Sequence, residues 1–215
     1  LRNEAQIPVI SPDENALYVA VLAAGASSRF GSPKQLAPID GQPLLHRTVS
    51  RAVAVGGHAV TVVLGAQAAA LTPVLRRLPA TVLINREWSE GIASSLRAAA
   101  ASQPGSCAGL MVVLADQAAV TTQDLRHLAD AWRKRPDAVV AASYAGITGV
   151  PAIFPRWCFP DLRALRGDEG ARLLLRRYAD RVVRLAMPNA EIDIDVPEDL
   201  ARLAPGRPGG GPPTA

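Results

Sequence analysis

Apolar residues in this chain come in short uninterrupted runs, separated by stretches of small and polar residues. Residues 17–23 form one such run, with the length and β-branched content of a strand buried on both faces. Residues 59–64, 81–84, 110–115 and 138–143 repeat that character, and 110–115, apolar throughout, marks a central strand. Between these runs the pattern turns helical. Gly41, Gln42 and Pro43 introduce a helix through Val55, which Gly56 and Gly57 close. A second helix is expected near 66–77, divided or restarted at Pro73. Thr121 and Thr122 offer N-caps for a third that runs through Trp132. Strand-then-helix order without internal repeats predicts the α/β class. The expected form is a single three-layer Rossmann-like domain with a mostly parallel sheet and its site at the carboxyl ends of the strands. The domain is expected over residues 17–203, between a flexible N-terminal tail at 1–16 and a disordered Gly/Pro-rich tail at 204–215.

Composition narrows the partners. The 215 residues are 49% hydrophobic and 20% charged, enough for a sizeable core. Net charge is +4, yet the arginines are scattered, which favours a small anionic substrate over a nucleic-acid groove. No apolar stretch approaches 20 residues and the chain does not open on a basic-then-apolar pattern, so no membrane partner and a cytoplasmic location are expected. Cys107 and Cys158 have no C-x-x-C spacing and read as reduced thiols. His46, His58 and His127 form no ligand cluster with them.

The candidate chemistry starts where the first strand ends. Residues 19–35 read VAVLAAGASSRFGSPKQ: a buried run, then a loop of small residues carrying Arg29 and Lys34. Small residues let backbone N–H groups approach an anion, and the two cations supply the charge a triphosphate needs. The spacing fits neither a Walker loop nor a G-x-G-x-x-G dinucleotide turn. Of 23 basic residues only Lys34 and Lys134 are lysine, so a lysine inside this loop points to a need for a compact ammonium.

Five more stretches stand past expected strand or helix boundaries. Asp116 and Gln117 end the central strand, where a carboxylate can hold a hard cation that shares oxygen ligands with phosphates. Asn85 to Leu96 is a loop entering a helix; Gly91 relaxes its backbone, while Ser94 and Ser95 offer donors near the helix start. Gly149-Val150-Pro151 and Gly167-Asp168-Glu169-Gly170-Ala171-Arg172 follow, the latter also readable as a helix capped at Asp168. Asp193-Ile194-Asp195-Val196-Pro197 comes last, and alternation along a strand puts Asp193 and Asp195 on one side, where either or both could face a metal.

The loop L-A-A-G-x-S-x-R-x-G-x-x-K, with these five stretches in order over residues 17–203, resembles the nucleotidyltransferases related to molybdenum cofactor guanylyl- and cytidylyltransferases. The resemblance implies a nucleotide-diphospho-sugar transferase-like fold and a Mg²⁺-dependent enzyme. Such an enzyme moves a nucleoside monophosphate from an NTP to a phosphorylated acceptor and releases pyrophosphate. It makes Arg29, Lys34 and Asp116 catalytic, and Asp116 and Asp195 the Mg²⁺ ligands, the second because the family's metal-facing residue stands two before the proline. It places Leu22, Ala23, Ala24, Gly25, Ser27, Arg29, Lys34, Asn85, Gly91, Ser94, Ser95 and Asp116 around the nucleotide. Gln117, Gly149, Pro151, Asp168 and Arg172 fall on the acceptor side. Ala24, where guanylyltransferase relatives carry a second glycine, leans towards CTP.

The implied acceptor is a phosphorylated pterin, molybdopterin, with a client molybdoenzyme as a further partner. Ala118 and Val196 depart from the family's proline and threonine, and Val150 stands where a polar residue is common. Three other readings share parts of this pattern. A sugar- or polyol-phosphate nucleotidyltransferase would differ in acceptor. A glycosyltransferase of the same fold would be expected to show Asp-x-Asp where this chain has Asp116-Gln117-Ala118. A non-catalytic molybdenum cofactor-binding chaperone would tolerate loss of Lys34 or Asp116.

Overall fold

A computed structural model describes residues 16–203; the two expected tails, apart from Ala16, lie outside the described residues. In chain order, β1 (Ala16–Ala23) leads through a two-strand hairpin, β2 (Pro38–Ile39) and β3 (Gln42–Pro43), into α1 (Leu44–Gly56). Then come β4 (Val60–Leu64), α2 (Ala68–Leu71), β5 (Thr81–Ile84), α3 (Ile92–Ala101), β6 (Cys107–Leu114) and α4 (Thr122–Lys134). The chain finishes through β7 (Val139–Tyr144), β8 (Ile147–Pro155), α5 (Phe159–Ala164), α6 (Ala171–Arg177) and β9 (Val182–Ala186). Pro73 sits in a 3-10 turn, Thr72–Leu75, that continues α2, so the expected helix is short and restarts at the proline. Thr121 caps α4 in a reciprocal capping box with Asp124.

Seven strands form one sheet in the order β5-β4-β1-β6-β8-β7-β9. All pairings are parallel except those of β8, which runs antiparallel to both β6 and β7. Successive residues of the apolar runs go to opposite faces, which is why the runs are continuous. Val19, Val21, Met111 and Val113 pack with α1 and α4, while Ala20, Leu22, Leu110 and Val112 pack with α3, α5 and α6. The chain passes from β1 outward to β4 and β5, then returns to place β6 on the other side of β1. That reversal opens a crevice beyond the carboxyl ends of β1 and β6, the usual ligand position in such sheets.

Two expectations at the C-terminal end are corrected. Residues 192–196 are not a strand: the Ile194 amide donates to the Asp116 carbonyl (3.1 Å) across the strand ends instead of joining a ladder. Ile194 is fully buried against Ile39, Leu44 and Ala118. Nor does Asp168 cap a helix, because α6 begins at Ala171 with Gly170 as its N-cap.

Close packing between layers is tightest at Gly109 in β6, where an added Cβ would lie 2.5 Å from the Trp132 ring. Gly109→Ala is therefore expected to destabilise the domain by about 1–3 kcal/mol, the usual cost of overpacking. Urea unfolding would record it as a lower midpoint at unchanged m-value.

Candidate active site

The loop after β1 is held from below by one residue. Gln35 is 3% exposed; its amide donates to the Gly25 carbonyl (3.2 Å) and its Oε1 accepts from the Ser27 hydroxyl (3.0 Å). Ser27 and Gly31 take positive φ, 56° and 75°, so the loop doubles back towards the sheet. Lys34 opens a 3-10 turn and points inward, its side chain 14% exposed. Its Nζ donates to Asp116 Oδ2 (2.8 Å) and Asp195 Oδ1 (3.0 Å). Burial works to lower the Lys34 pKa, but the two carboxylates outweigh it and raise it above the ordinary value. Arg29, largely exposed, stands 3.5 Å from Asp195 Oδ2. A cavity of about 170 Å³ lies among Gly25, Ser27, Ser28, Arg29, Lys34 and Asp116.

Asp116 follows β6 and is fixed from three directions. The Ala115 amide donates to the Leu22 carbonyl (3.0 Å), and the Thr48 hydroxyl of α1 donates to the Ala115 carbonyl (3.2 Å). Arg51, also in α1, donates to the carbonyls of Ala118 (2.7 Å) and Val120 (2.6 Å). Asp116 Oδ1 is buried with no hydrogen-bond partner, and so is Asp193 Oδ1. Burial, then the charges of Asp116 and Asp195, push the Asp193 carboxyl up to about 6, with Lys34 and Arg172 opposing.

Such a site fits a hard cation. Unpaired buried carboxylate oxygens cost stability until a cation meets them. Among the described residues no group of three or more His, Cys, Asp or Glu side chains could hold a metal by itself. A divalent ion would therefore take two protein carboxylates and leave its other positions to water and phosphate, the way Mg²⁺ binds.

Two further clefts flank this centre, and Leu22 lines all three. One, about 320 Å³, lies between the first loop and the segment after β5, lined by Ala24, Gly25, Trp88, Gly91, Ser95 and Asp116. Gly65 lets the two walls close: a Cβ there would fall 2.6 Å from Trp88 Cβ and 2.8 Å from Ala24 Cβ. The other, about 620 Å³, has an apolar floor of Leu22, Leu96, Val112 and Leu114. Around it stand Gln117, Tyr144, Asp168, Arg172, Arg176 and Asp193.

A clasp joins the walls of the two clefts. Arg97 donates to Glu90, to Glu87 Oε2 (2.8 Å) and to the Leu165 carbonyl (3.0 Å). Glu90 Oε1 also accepts from the Gly167 amide (3.1 Å). The hydrogen bonds from Arg97 and Gly167 hold the Glu90 carboxyl down at about 2. Gly91, at φ 117°, lies so close to Asp168 that a Cβ would fall 2.3 Å from Asp168 Oδ1.

The residues singled out in the sequence therefore divide. Leu22, Ala23, Ala24, Gly25, Ser27, Arg29, Lys34, Gly91, Ser95, Asp116 and Asp195 line the central cavity or the smaller cleft; Gln117, Asp168 and Arg172 line the larger. Asn85 and Ser94 are buried behind the wall instead: Asn85 donates to both serine hydroxyls and accepts from the Glu87 amide, which shapes the loop. Gly149 and Pro151 do not line the larger cleft; Val150 between them does. Gly149 makes room for Tyr144, whose Oη would lie 2.6 Å from an added Cβ. Sequence reasoning did not single out Gln35, Trp88, Tyr144 or Arg176 as site residues. Only Gln35 and Trp88 carried a signal, each lying within a stretch already singled out.

The sequence profile of the MobA-like NTP transferase domain matches residues 19–182. The chain belongs to this family. This MobA-like chain is 29% identical over 196 residues to nicotine blue oxidoreductase of Paenarthrobacter nicotinovorans, covering 85% of this chain and 94% of that one. It is 30% identical over 197 residues to purine catabolism protein PucB of Bacillus subtilis (strain 168), with the same coverage. Among solved structures it is similar to Rv0371c of Mycobacterium tuberculosis H37Rv, at 31% identity and a TM-score of 0.77 over 88% of this chain and 98% of that one. A manganese complex of Rv0371c matches at 28% identity and a TM-score of 0.74, with the same coverage. The MobA-like domain is a nucleotidyltransferase with the nucleotide-diphospho-sugar transferase-like fold. Among the described residues no helix is long and apolar enough to cross a membrane.

The Asp193 carboxyl has a signed consequence for stability. Its folded value of about 6 stands above the ordinary 3.8, so the folded state keeps a proton that the unfolded chain has lost, and stability falls as pH rises between them. Asp193→Asn escapes that loss. In EDTA, thermal melts should show the variant level with wild type below about pH 4 and more stable above about pH 6.

Proposed function

We propose that this nucleotidyltransferase uses Mg²⁺ to transfer CMP from CTP to molybdopterin, a pterin bearing a phosphate, and releases pyrophosphate. The observation that carries the reading is the convergence of Lys34, Arg29, Asp116 and Asp195 in one small cavity between two larger clefts. Triphosphate would lie along the loop of Gly25 to Arg29, with the base in the cleft of Ala24 and Trp88. An acceptor phosphate oxygen attacks the α-phosphorus as the bond to the β-phosphate oxygen breaks, so no side-chain nucleophile is needed. Asp116 and Asp195 would hold Mg²⁺, which when bound neutralises phosphate charge; Lys34 and Arg29 stabilise charge developing on the leaving pyrophosphate. What the protein contributes is alignment and fixed charge.

The larger cleft supports an acceptor with a planar apolar body. Its floor is aliphatic, and Arg172 and Arg176 stand at its edge for an anionic group. Two buried thiols, Cys107 and Cys158, both free, are in keeping with a cytoplasmic setting.

The test is pyrophosphate release with CTP, GTP, ATP or UTP and molybdopterin as acceptor. CTP with molybdopterin should give the highest rate, and Lys34→Ala should lower turnover about a hundredfold or more, the scale for deleting one charge-stabilising donor. Release with a sugar or polyol phosphate and not with molybdopterin would overturn the acceptor. A wild-type rate in folded Lys34→Ala would overturn the phosphate cradle.

Base preference has its own test. Ala24 is buried, and its methyl occupies the wall of the cleft proposed for the base. Ala24→Gly should shift the CTP/GTP ratio of kcat/KM towards GTP, within the roughly 10- to 200-fold that one methyl can command. An unchanged ratio would move base reading to the Trp88 and Gly91 wall.

A further inference from the structure

Lys34 contacts one oxygen of each of the two carboxylates to which a cation is assigned above. Its ammonium lies within 3.0 Å of both, in a cavity of only about 170 Å³. Mg²⁺ or Mn²⁺ sits about 2 Å from its oxygen ligands, so a metal on those same two oxygens would stand almost where Nζ stands, against a full like charge. The two cations cannot share those oxygens, and a metal drawn instead to Asp116 Oδ1, which has no partner, would still face the ammonium across the width of one carboxylate. We propose that Lys34 and the divalent metal are alternative occupants of the Asp116–Asp195 pair, so that free metal is largely refused and the ion enters together with the nucleotide.

The chemistry of lysine suits this exchange. Its charge is compact and its stem has four rotatable carbons, so Nζ can leave the carboxylates without moving the backbone, whereas a guanidinium is a rigid planar fork. The displaced ammonium has a destination nearby. Gly25, Ser27, Ser28 and Arg29 line the same cavity, where the phosphates would lie. In the metal-free protein the lysine is thus a positioning residue that keeps two carboxylates converged, although they stand 82 and 161 residues away along the chain. With metal and nucleotide present it becomes a phosphate contact. The inference rests on the reading of Asp116 and Asp195 as metal ligands, and the experiment separates the two.

Mn²⁺ binding to the full chain, followed by electron paramagnetic resonance of the free ion, reads the exchange without turnover. Wild type should bind Mn²⁺ weakly alone and at least about tenfold more tightly with α,β-methylene CTP, which cannot transfer CMP. Lys34→Met should bind Mn²⁺ without nucleotide about tenfold or more tighter than wild type, while Lys34→Arg, which keeps the charge, should not. Arg29→Met is the control for net charge alone, since Arg29 lies near Asp195 but is largely exposed; its effect should be much smaller.

Three outcomes would overturn the proposal. The first is wild type binding Mn²⁺ as tightly without nucleotide as with it, a result that needs no variant to fold. The second is folded Lys34→Met binding no tighter than wild type. The third is Arg29→Met matching the gain of Lys34→Met. If instead Asp116→Asn and Asp195→Asn leave Mn²⁺ binding unchanged in every background, the ligand assignment itself fails.

Discussion

One ion-pair triad organises this protein: the Lys34 ammonium between Asp116 and Asp195. Each member comes from a different part of the chain, and each is placed by something rigid. Lys34 follows a loop stapled by Gln35, Asp116 stands at the end of the central strand, and Asp195 is carried by a segment tied to the Asp116 carbonyl. Such a cluster is a poor source of stability, because desolvating charges offsets much of their attraction. Two carboxylate oxygens there have no partner at all. The arrangement concentrates fixed charge in one small cavity, with the cost met by two hydrophobic layers on either side of the sheet.

The rest of the site is built by close approaches that only glycine permits. Gly65 lets Ala24 and Trp88 come together over the end of β4, which closes the wall of the smaller cleft. Gly91 lets Asp168 reach the loop that shapes that cleft. Behind these contacts Arg97 gathers Glu87, Glu90 and the carbonyl of Leu165, so the two loops that wall the smaller and the larger cleft share one anchor. Because those loops lean on the same guanidinium, the walls of the two clefts are linked through protein structure.

Much of the architecture is legible in the residues themselves. The apolar runs mark five strands of the sheet, since residues buried on both faces leave no alternation to misread. Thr121, Pro73 and the Gly56-Gly57 pair mark helix boundaries through local backbone chemistry alone. β8 is not legible: it carries Pro151 and Pro155, which argue against a central strand. It is accommodated by a register irregularity against β7 between Ala141 and Ala142. β9 and the helices near it are short, and their periodicity is too brief to separate from loops. The segment at 192–196 misleads because its alternating Asp-Ile-Asp imitates a strand, while the Ile194 amide donates to a carbonyl far away in sequence and the Asp195 and Val196 amides donate to the Asp199 carboxylate.

By itself the sequence determined five of the strands, several helix boundaries and the chemical inventory: a loop of small residues with a rare lysine, an aspartate closing the central strand and an acid pair near the end. These follow from short-range rules of burial, capping and charge. Only the tertiary structure decided which groups meet. It set Asp195 on Lys34 and turned Asp193 into the larger cleft with its carboxyl pushed up. It moved Asn85 and Ser94 behind the wall, and put Trp88, Tyr144 and Arg176 on the clefts. The reason is physical. Which side chains share a cavity depends on strand order, on the run of β8, and on close packing at a few glycines, and those are fixed by contacts between residues that no local pattern brings together.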